Sequence, residues 1–230
     1  MNIALLTAAG RGSRMNLDIP KQFLHIDGKP IIIHTMEVFQ KHPMVDAMIV
    51  VTLAAWIEPL KTYAKEYGIT KLMWTAVGGS TGQESIYLGL KELEKDCQAT
   101  DIIIVHDGNR PLVSDEIISD SLVICREYGS AVAAMPCVEA IFQSEDGRSS
   151  NVSIPREQLF RTQTPHSYTL EKLLWAHKKA KELKIENTTA TCVLMQLLGE
   201  SIHFSKGSDM NLKLTTQEDL ELYKAVRMIQ

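Results

Sequence analysis

The chain has 230 residues, 45% hydrophobic and 23% charged, with a formal net charge of −4. That length can bury a sizeable core, and the charge balance gives no reason to expect a nucleic-acid or membrane surface. No apolar stretch is long enough to span a bilayer, and no signal-peptide pattern opens the chain, so a cytoplasmic location is expected. Cys97, Cys125, Cys137 and Cys192 are scattered without metal-ligand spacing and read as reduced thiols.

In chain order, apolar runs alternate with helical patterns. Ile3 to Leu6 reads as a buried strand, followed by the loop Ala8 to Lys21, AAGRGSRMNLDIPK. Ile31 to Lys41 has helical spacing after Pro30, Ala47 to Thr52 reads as a strand, and Trp56 to Glu66 as a helix closed by Gly68. Leu72 to Ala76 is a weaker strand, and Ser80 to Glu94 a helix entered through Gly78 and Gly79. Four consecutive β-branched residues, Ile102 to Val105, suit a central parallel strand over Asp101 to His106. Ser114 opens a helix that Gly129 closes, and Ala131 to Met135 is another strand.

The alternation then breaks. Pro136 to Phe160, with a turn at Glu145-Asp146-Gly147, reads as a projecting hairpin whose apolar residues need cover, naturally from a second subunit. Helices follow at Leu170 to Leu183, near Thr191 to Leu198 and from Thr216 onward, with a strand at Ser201 to Phe204. The pattern predicts one α/β domain over residues 1–230, a Rossmann-like, doubly wound, mainly parallel sheet with an arm at 136–160. Ligands of such sheets bind beyond the carboxyl ends of the strands, where the first loop, Gly78-Gly79 and Asp107 would emerge together.

The chemistry-bearing residues gather at those ends. Gly10 and Gly12 permit a tight turn whose N–H groups can face phosphate oxygens, with Arg11, Arg14 and Lys21 adding positive charge. The dinucleotide fingerprint would need glycine at Met15, and the P-loop pattern would need Gly-Lys-Ser/Thr; neither fits. A surface turn with solvated basic residues is the alternative. Asp107, in VHDGNRP, can carry a Mg²⁺ ion that bridges phosphates, or can be an ordinary turn aspartate. Asp209 is a second acidic candidate, Lys213 a second cation, and His106 reads as a packed strand-end residue.

AAGRGSRM with PKQF, GGSTGQESI, VHDGNRP, RTQTPHSY and NLKLTTQEDL together resemble the cytidylyltransferases of the methylerythritol-phosphate and ribitol-5-phosphate type, in order and over nearly the whole chain. The resemblance implies a nucleotidyltransferase domain, a homodimer clasped through the 136–160 arm, CTP and a polyol phosphate as substrates, and Mg²⁺. It implies backbone contacts to the nucleotide from Ala8, Ala9, Gly10 and Gly12, with Gly79 and Ser85 at cytosine and ribose. Mg²⁺ would sit on Asp107 with Asp209, and Arg14, Lys21 and Lys213 would stabilise the transition state. Arg156, Thr189 and Lys213 would hold the acceptor phosphate. The nucleophile is already an anion, so the resemblance implies no general base.

Four departures stand out: Gly82 where the family usually has arginine, HDGNRP for HDAARP or HDAVRP, Glu139-Ala140 for Asp-Thr, and Ala190 for an acidic residue. The last two fall among the acceptor contacts, so the residues support CTP better than either acceptor. An isoprenoid-precursor or a cell-surface-polymer product both remain open. Rival expectations are an enzyme of the same fold acting on another sugar or alcohol phosphate, and a non-catalytic nucleotide-binding protein.

Overall fold

The computed structural model describes residues 1–10 and 19–228. Strand β1 (Asn2–Ala8) leads to a small antiparallel pair, β2 (His25–Ile26) and β3 (Lys29–Pro30), turned by Asp27 and Gly28 at φ 53° and 77°. Helix α1 (Ile31–Lys41), strand β4 (Ala47–Thr52), helix α2 (Ile57–Glu66) and strand β5 (Leu72–Val77) follow. Helix α3 (Gly82–Leu93) starts two residues later than the sequence suggests, because the Thr81 hydroxyl caps it by accepting from Glu84 N. Strand β6 (Ile102–Asp107) leads to α4 (Asp115–Tyr128), capped by Ser114 and closed by Gly129 in the left-handed conformation. Next come β7 (Ala131–Pro136), β8 (Ile141–Gln143) and β9 (Val152–Ile154). The chain ends with β10 (Phe160–Thr169), α5 (Leu170–Glu182), α6 (Thr191–Leu197), β11 (Phe204–Lys206) and α7 (Gln217–Arg227).

Seven strands form one sheet in the order β11-β7-β10-β6-β1-β4-β5, parallel except for β10. Alternate residues of each central strand serve two cores. Ala4, Leu6, Met48 and Val50 pack against α1, α2 and α4, whereas Ile3, Leu5, Ile49 and Val51 pack against α3, α5 and α6. A strand covered on both faces must be apolar along its run, which is why Ala47 to Val51 of the fully buried β4 are AMIVV, with Thr52 at its end bonded to the Ala8 carbonyl.

Two strand readings need correction. The sequence pattern predicts no strand over 160–169, yet β10 lies inside the sheet, antiparallel to both β6 and β7. Its polar sequence and Pro165 hide it. The register against β7 shifts between Thr162 and His166, so the proline needs no ladder hydrogen bond there. The strand expected at Ser201 to Phe204 is shifted to Phe204–Lys206, where Phe204 pairs with Val132.

Residues between β7 and β10 leave the sheet. β8 and β9 pair only with each other, Ile141 opposite Ile154, and Val138, Phe142 and Val152 are exposed.

Candidate active site

Because β6, β1, β4 and β5 are parallel, their carboxyl ends open on one side of the sheet. Thr7 and Asp107 are neighbours in register there, on adjacent strands whose chains depart to opposite sides. A cleft of about 880 Å³ lies over these ends. Ala9 and Gly10 line it from the first loop, Lys21 from the turn beyond, Gly79 from the β5–α3 connection, Ser85 from the first turns of α3, and Asp107 and Lys213 from the far side.

Local sequence explains the walls. Pro20 is extended, and Phe23 N bonds its carbonyl at 2.8 Å, making the one-turn segment Lys21–Phe23. Phe23 then stacks on Trp56 with ring centroids 4.2 Å apart, which anchors the backbone that carries Lys21. Gly78 is where the first loop and the β5–α3 loop touch: a Cβ there would lie 2.3 Å from the Ala9 Cβ. Ser85 Oγ accepts from Gly79 N at 3.1 Å and donates to Thr81 O at 2.8 Å, so its hydroxyl shapes the loop whose backbone faces the cleft. Ala8 is fully buried at the end of β1, its carbonyl accepting from Thr52 Oγ1 at 3.2 Å.

Asp107 is the electrostatic centre. Its Oδ2 accepts from Arg110 Nε at 2.9 Å and its Oδ1 from Lys213 Nζ at 3.0 Å. Burial pushes the carboxyl pKa up, but the Lys213 ammonium and then the Arg110 guanidinium outweigh it and hold the group well below the usual carboxylate range. Asp107 is therefore ionised at neutral pH, and its two cations leave the corner net positive.

Beside this corner a smaller recess of about 150 Å³ is lined by Gln83, His177, Thr188, Thr189, Asp107 and Lys213, among others. Thr189 is one of its lining residues. Gln83 shapes it: Nε2 donates to Ile185 O at 2.9 Å, while Oε1 accepts from Thr188 N and Thr188 Oγ1, both at 2.9 Å.

Other expected residues lie apart. Asp209 Oδ1 accepts from Arg161 Nη2 at 2.7 Å, and its side chain, 73% exposed, is not among those lining the cleft. Arg156 follows β9 at the base of the hairpin, donating to Val138 O at 2.6 Å, outside the cleft of its own chain. Gly12 and Arg14 fall outside the described residues. His106 is buried against Phe39, with ring centroids 5.2 Å apart, as its strand-end position suggests. Gln22, within the PKQF motif, and Leu53 also line the cleft, and nothing in the sequence context of Leu53 singles it out.

Among the described residues no three His, Cys, Asp or Glu side chains gather as a metal site. Magnesium asks for less than that. It keeps several waters and binds through one or two carboxylates plus substrate phosphates, a demand that one ionised Asp107 meets.

A mostly parallel α/β sheet with a large cleft at its carboxyl edge, walled by a glycine-bearing loop, lysines and one aspartate, defines a nucleotidyltransferase. A family profile described as 2-C-methyl-D-erythritol 4-phosphate cytidylyltransferase (IspD) matches residues 2–228. The chain is 41% identical over 227 residues to ribitol-5-phosphate cytidylyltransferase of Lacticaseibacillus paracasei, covering 98% of this chain and 97% of that protein. It is 36% identical over 223 residues to 2-C-methyl-D-erythritol 4-phosphate cytidylyltransferase of Clostridium botulinum, covering 96% and 95%. In fold it is similar to the crystal structure of 2-C-methyl-D-erythritol 4-phosphate cytidylyltransferase from Thermus thermophilus, with TM-score 0.79 at 25% identity, covering 99% of this chain and 100% of that one. The chain belongs to the 2-C-methyl-D-erythritol 4-phosphate cytidylyltransferase (IspD) family, and it is a cytidylyltransferase. The family transfers CMP from CTP to polyol phosphates. Among the described residues no helix is long and apolar enough to cross a membrane.

Proposed function

We propose that the acceptor is D-ribitol 5-phosphate and the products CDP-ribitol and pyrophosphate, made with Mg²⁺ in the cytoplasm by a homodimer. The observation that carries the acceptor is the 41% identity, over 98% of the chain, to a ribitol-5-phosphate cytidylyltransferase. The recess beside Asp107 agrees with it. Thr188, Thr189, His177 and Gln83 give it hydroxyl, imidazole and amide groups suited to a polyhydroxylated chain.

CTP lies in the larger cleft, with Ala9, Gly10, Gly79 and Ser85 along its nucleoside and phosphates. Asp107 would hold Mg²⁺, which supplies charge neutralisation on the triphosphate. A phosphate oxygen of the acceptor, entering from the recess, forms the new bond to the α-phosphorus while the bond to the β-phosphate oxygen breaks. The electron pair leaves with pyrophosphate. No proton must be removed, because the attacking oxygen is already anionic. What the chain supplies is alignment and positive charge, from Lys21 and Lys213 in the cleft and from Arg14 in the first loop. The exposed apolar residues Val138, Phe142 and Val152 on the hairpin are the proposed subunit contact, which would let Arg156 reach the partner's acceptor recess.

Mass and phosphorus analysis of the product tests this reading. CTP, Mg²⁺ and ribitol 5-phosphate are expected to give CDP-ribitol with one pyrophosphate per turnover. Tight CTP binding without pyrophosphate release for any polyol phosphate would overturn it in favour of a nucleotide-binding role.

A further inference from the structure

The departure HDGNRP places an amide side chain two residues beyond the strand that ends in Asp107. Asn109 is 3% exposed and bonds a single residue twice: its Nδ2 donates to Leu214 O at 2.6 Å, and Leu214 N donates to its backbone carbonyl at 2.9 Å. Leu214 is itself buried, clustered with Ile26, Ile31, Leu220 and Tyr223. On the other side of Lys213, Arg110 Nη1 donates to Asn211 O at 2.7 Å. Lys213 thus stands on a short span of backbone tied at both ends to the segment that carries Asp107.

That anchoring matters because Lys213 is 43% exposed and long. A lysine side chain carries much rotamer entropy, and its head finds one target only if its base is fixed. The backbone bond from Leu214 N survives any substitution at position 109. The bond to Leu214 O does not, and its loss leaves a buried carbonyl without its donor, free to let the 212–214 backbone turn.

We infer that Asn109 is a positioning residue that aims Lys213 at Asp107 and the phosphates by pinning Leu214. The inference rests on the reading of Lys213 as a transition-state cation. The rival explanation is that Asn109 only satisfies a buried carbonyl and supports the fold generally.

A double-mutant cycle on kcat separates the two. Asn109→Ala is expected to lower kcat roughly tenfold or more, with the KM for CTP and the melting temperature little changed. Asn109→Ser, whose hydroxyl is too short to reach Leu214 O, should behave alike and stands in if the alanine variant does not fold. In a Lys213→Ala background the same substitution should cost less than about twofold, since the group it aims is gone. Unchanged kcat in the Asn109 variants overturns the inference. So does an equal loss in both backgrounds, which would mark a general structural role. Full kcat for Lys213→Ala alone would instead overturn the reading of Lys213, and this inference with it.

Discussion

Lys213 Nζ lies 3.0 Å from Asp107 Oδ1, joining the end of β6 to a loop 106 residues further along the chain. The carboxylate also receives Arg110, so one negative charge organises two positive ones beside the smaller recess. Lys213 is the more exposed partner, at 43% against 12% for Arg110, and is the one free to follow a phosphate.

Lys213→Ala should therefore lower kcat by about 10²–10³-fold, the cost of removing one preorganised charge donor from a developing oxyanion. Asp107 keeps Arg110 when Lys213 is removed and the lysine end of the pair is 43% exposed, so the melting temperature should move by roughly a few degrees at most. Steady-state kinetics at saturating CTP and acceptor, beside a thermal melt, checks both halves.

Gln83→Ala should act on the acceptor alone. The loop it clamps holds Lys184 and Asn187 at φ 57° and 54°, a left-handed conformation that side chains rarely adopt unaided. Without the clamp the Thr188-Thr189 segment loses its fixed place, and the acceptor KM should rise on the order of tenfold. The KM for CTP should stay within about twofold, because Gly79 and Ser85 keep their own bonds. Equal changes in both constants would contradict the clamp.

Gly108→Ala should destabilise the protein. A Cβ there would lie 2.6 Å from Ile32 Cδ1 and 2.9 Å from the Thr7 carbonyl, between α1 and the neighbouring strand end. Overpacking of this kind costs about 1–3 kcal/mol, read as a lower urea midpoint. An unchanged midpoint would mean that the α1–β6 junction has more slack than these distances allow.

Acid should weaken the fold through three buried histidines. Burial pushes the imidazole of His106 down to about 3 and those of His166 and His177 to about 4. Each is lower folded than the about 6.5 of an unfolded histidine, so the unfolded chain binds more protons as pH falls through that window. Stability is fully present above about pH 6.5 and declines below it, and His34, whose imidazole burial also pushes down, adds to the slope with the same sign. Asp107 adds the same sign below about pH 4, its folded pKa being depressed beneath the unfolded value. Urea midpoints measured from neutral pH down to pH of about 5 would contradict this if they stayed level.

Much of this molecule is legible in its sequence where local rules act alone. β4 and α1 fall on the residues their patterns indicate, Ala47–Thr52 and Ile31–Lys41, because a doubly covered strand and a Pro-led amphipathic helix carry their own signals. β10 is not legible: a strand of FRTQTPHSYT has no apolar run, and its place between β6 and β7 is set by long-range pairing. At the site, Asp107, Lys21, Lys213, Gly79 and Ser85 are visible from motifs and do share one cleft. Asp209 looks similar as an acid near Lys213, but Arg161, which takes its carboxylate, lies 48 residues away in sequence. Asn109 is visible only as part of the HDGNRP departure and Gln83 only as part of the GGSTGQESI motif, since what each amide holds is more than 100 residues distant.

The central claim is CMP transfer to ribitol 5-phosphate in the Asp107–Lys213 cleft. Its most direct measurement is kcat/KM from pyrophosphate release with CTP and Mg²⁺, compared between ribitol 5-phosphate and 2-C-methyl-D-erythritol 4-phosphate. Ribitol 5-phosphate is expected to be preferred by at least about a hundredfold, the scale on which a site built to bond hydroxyls discriminates. A preference for the methylerythritol phosphate, or turnover with neither, would contradict it.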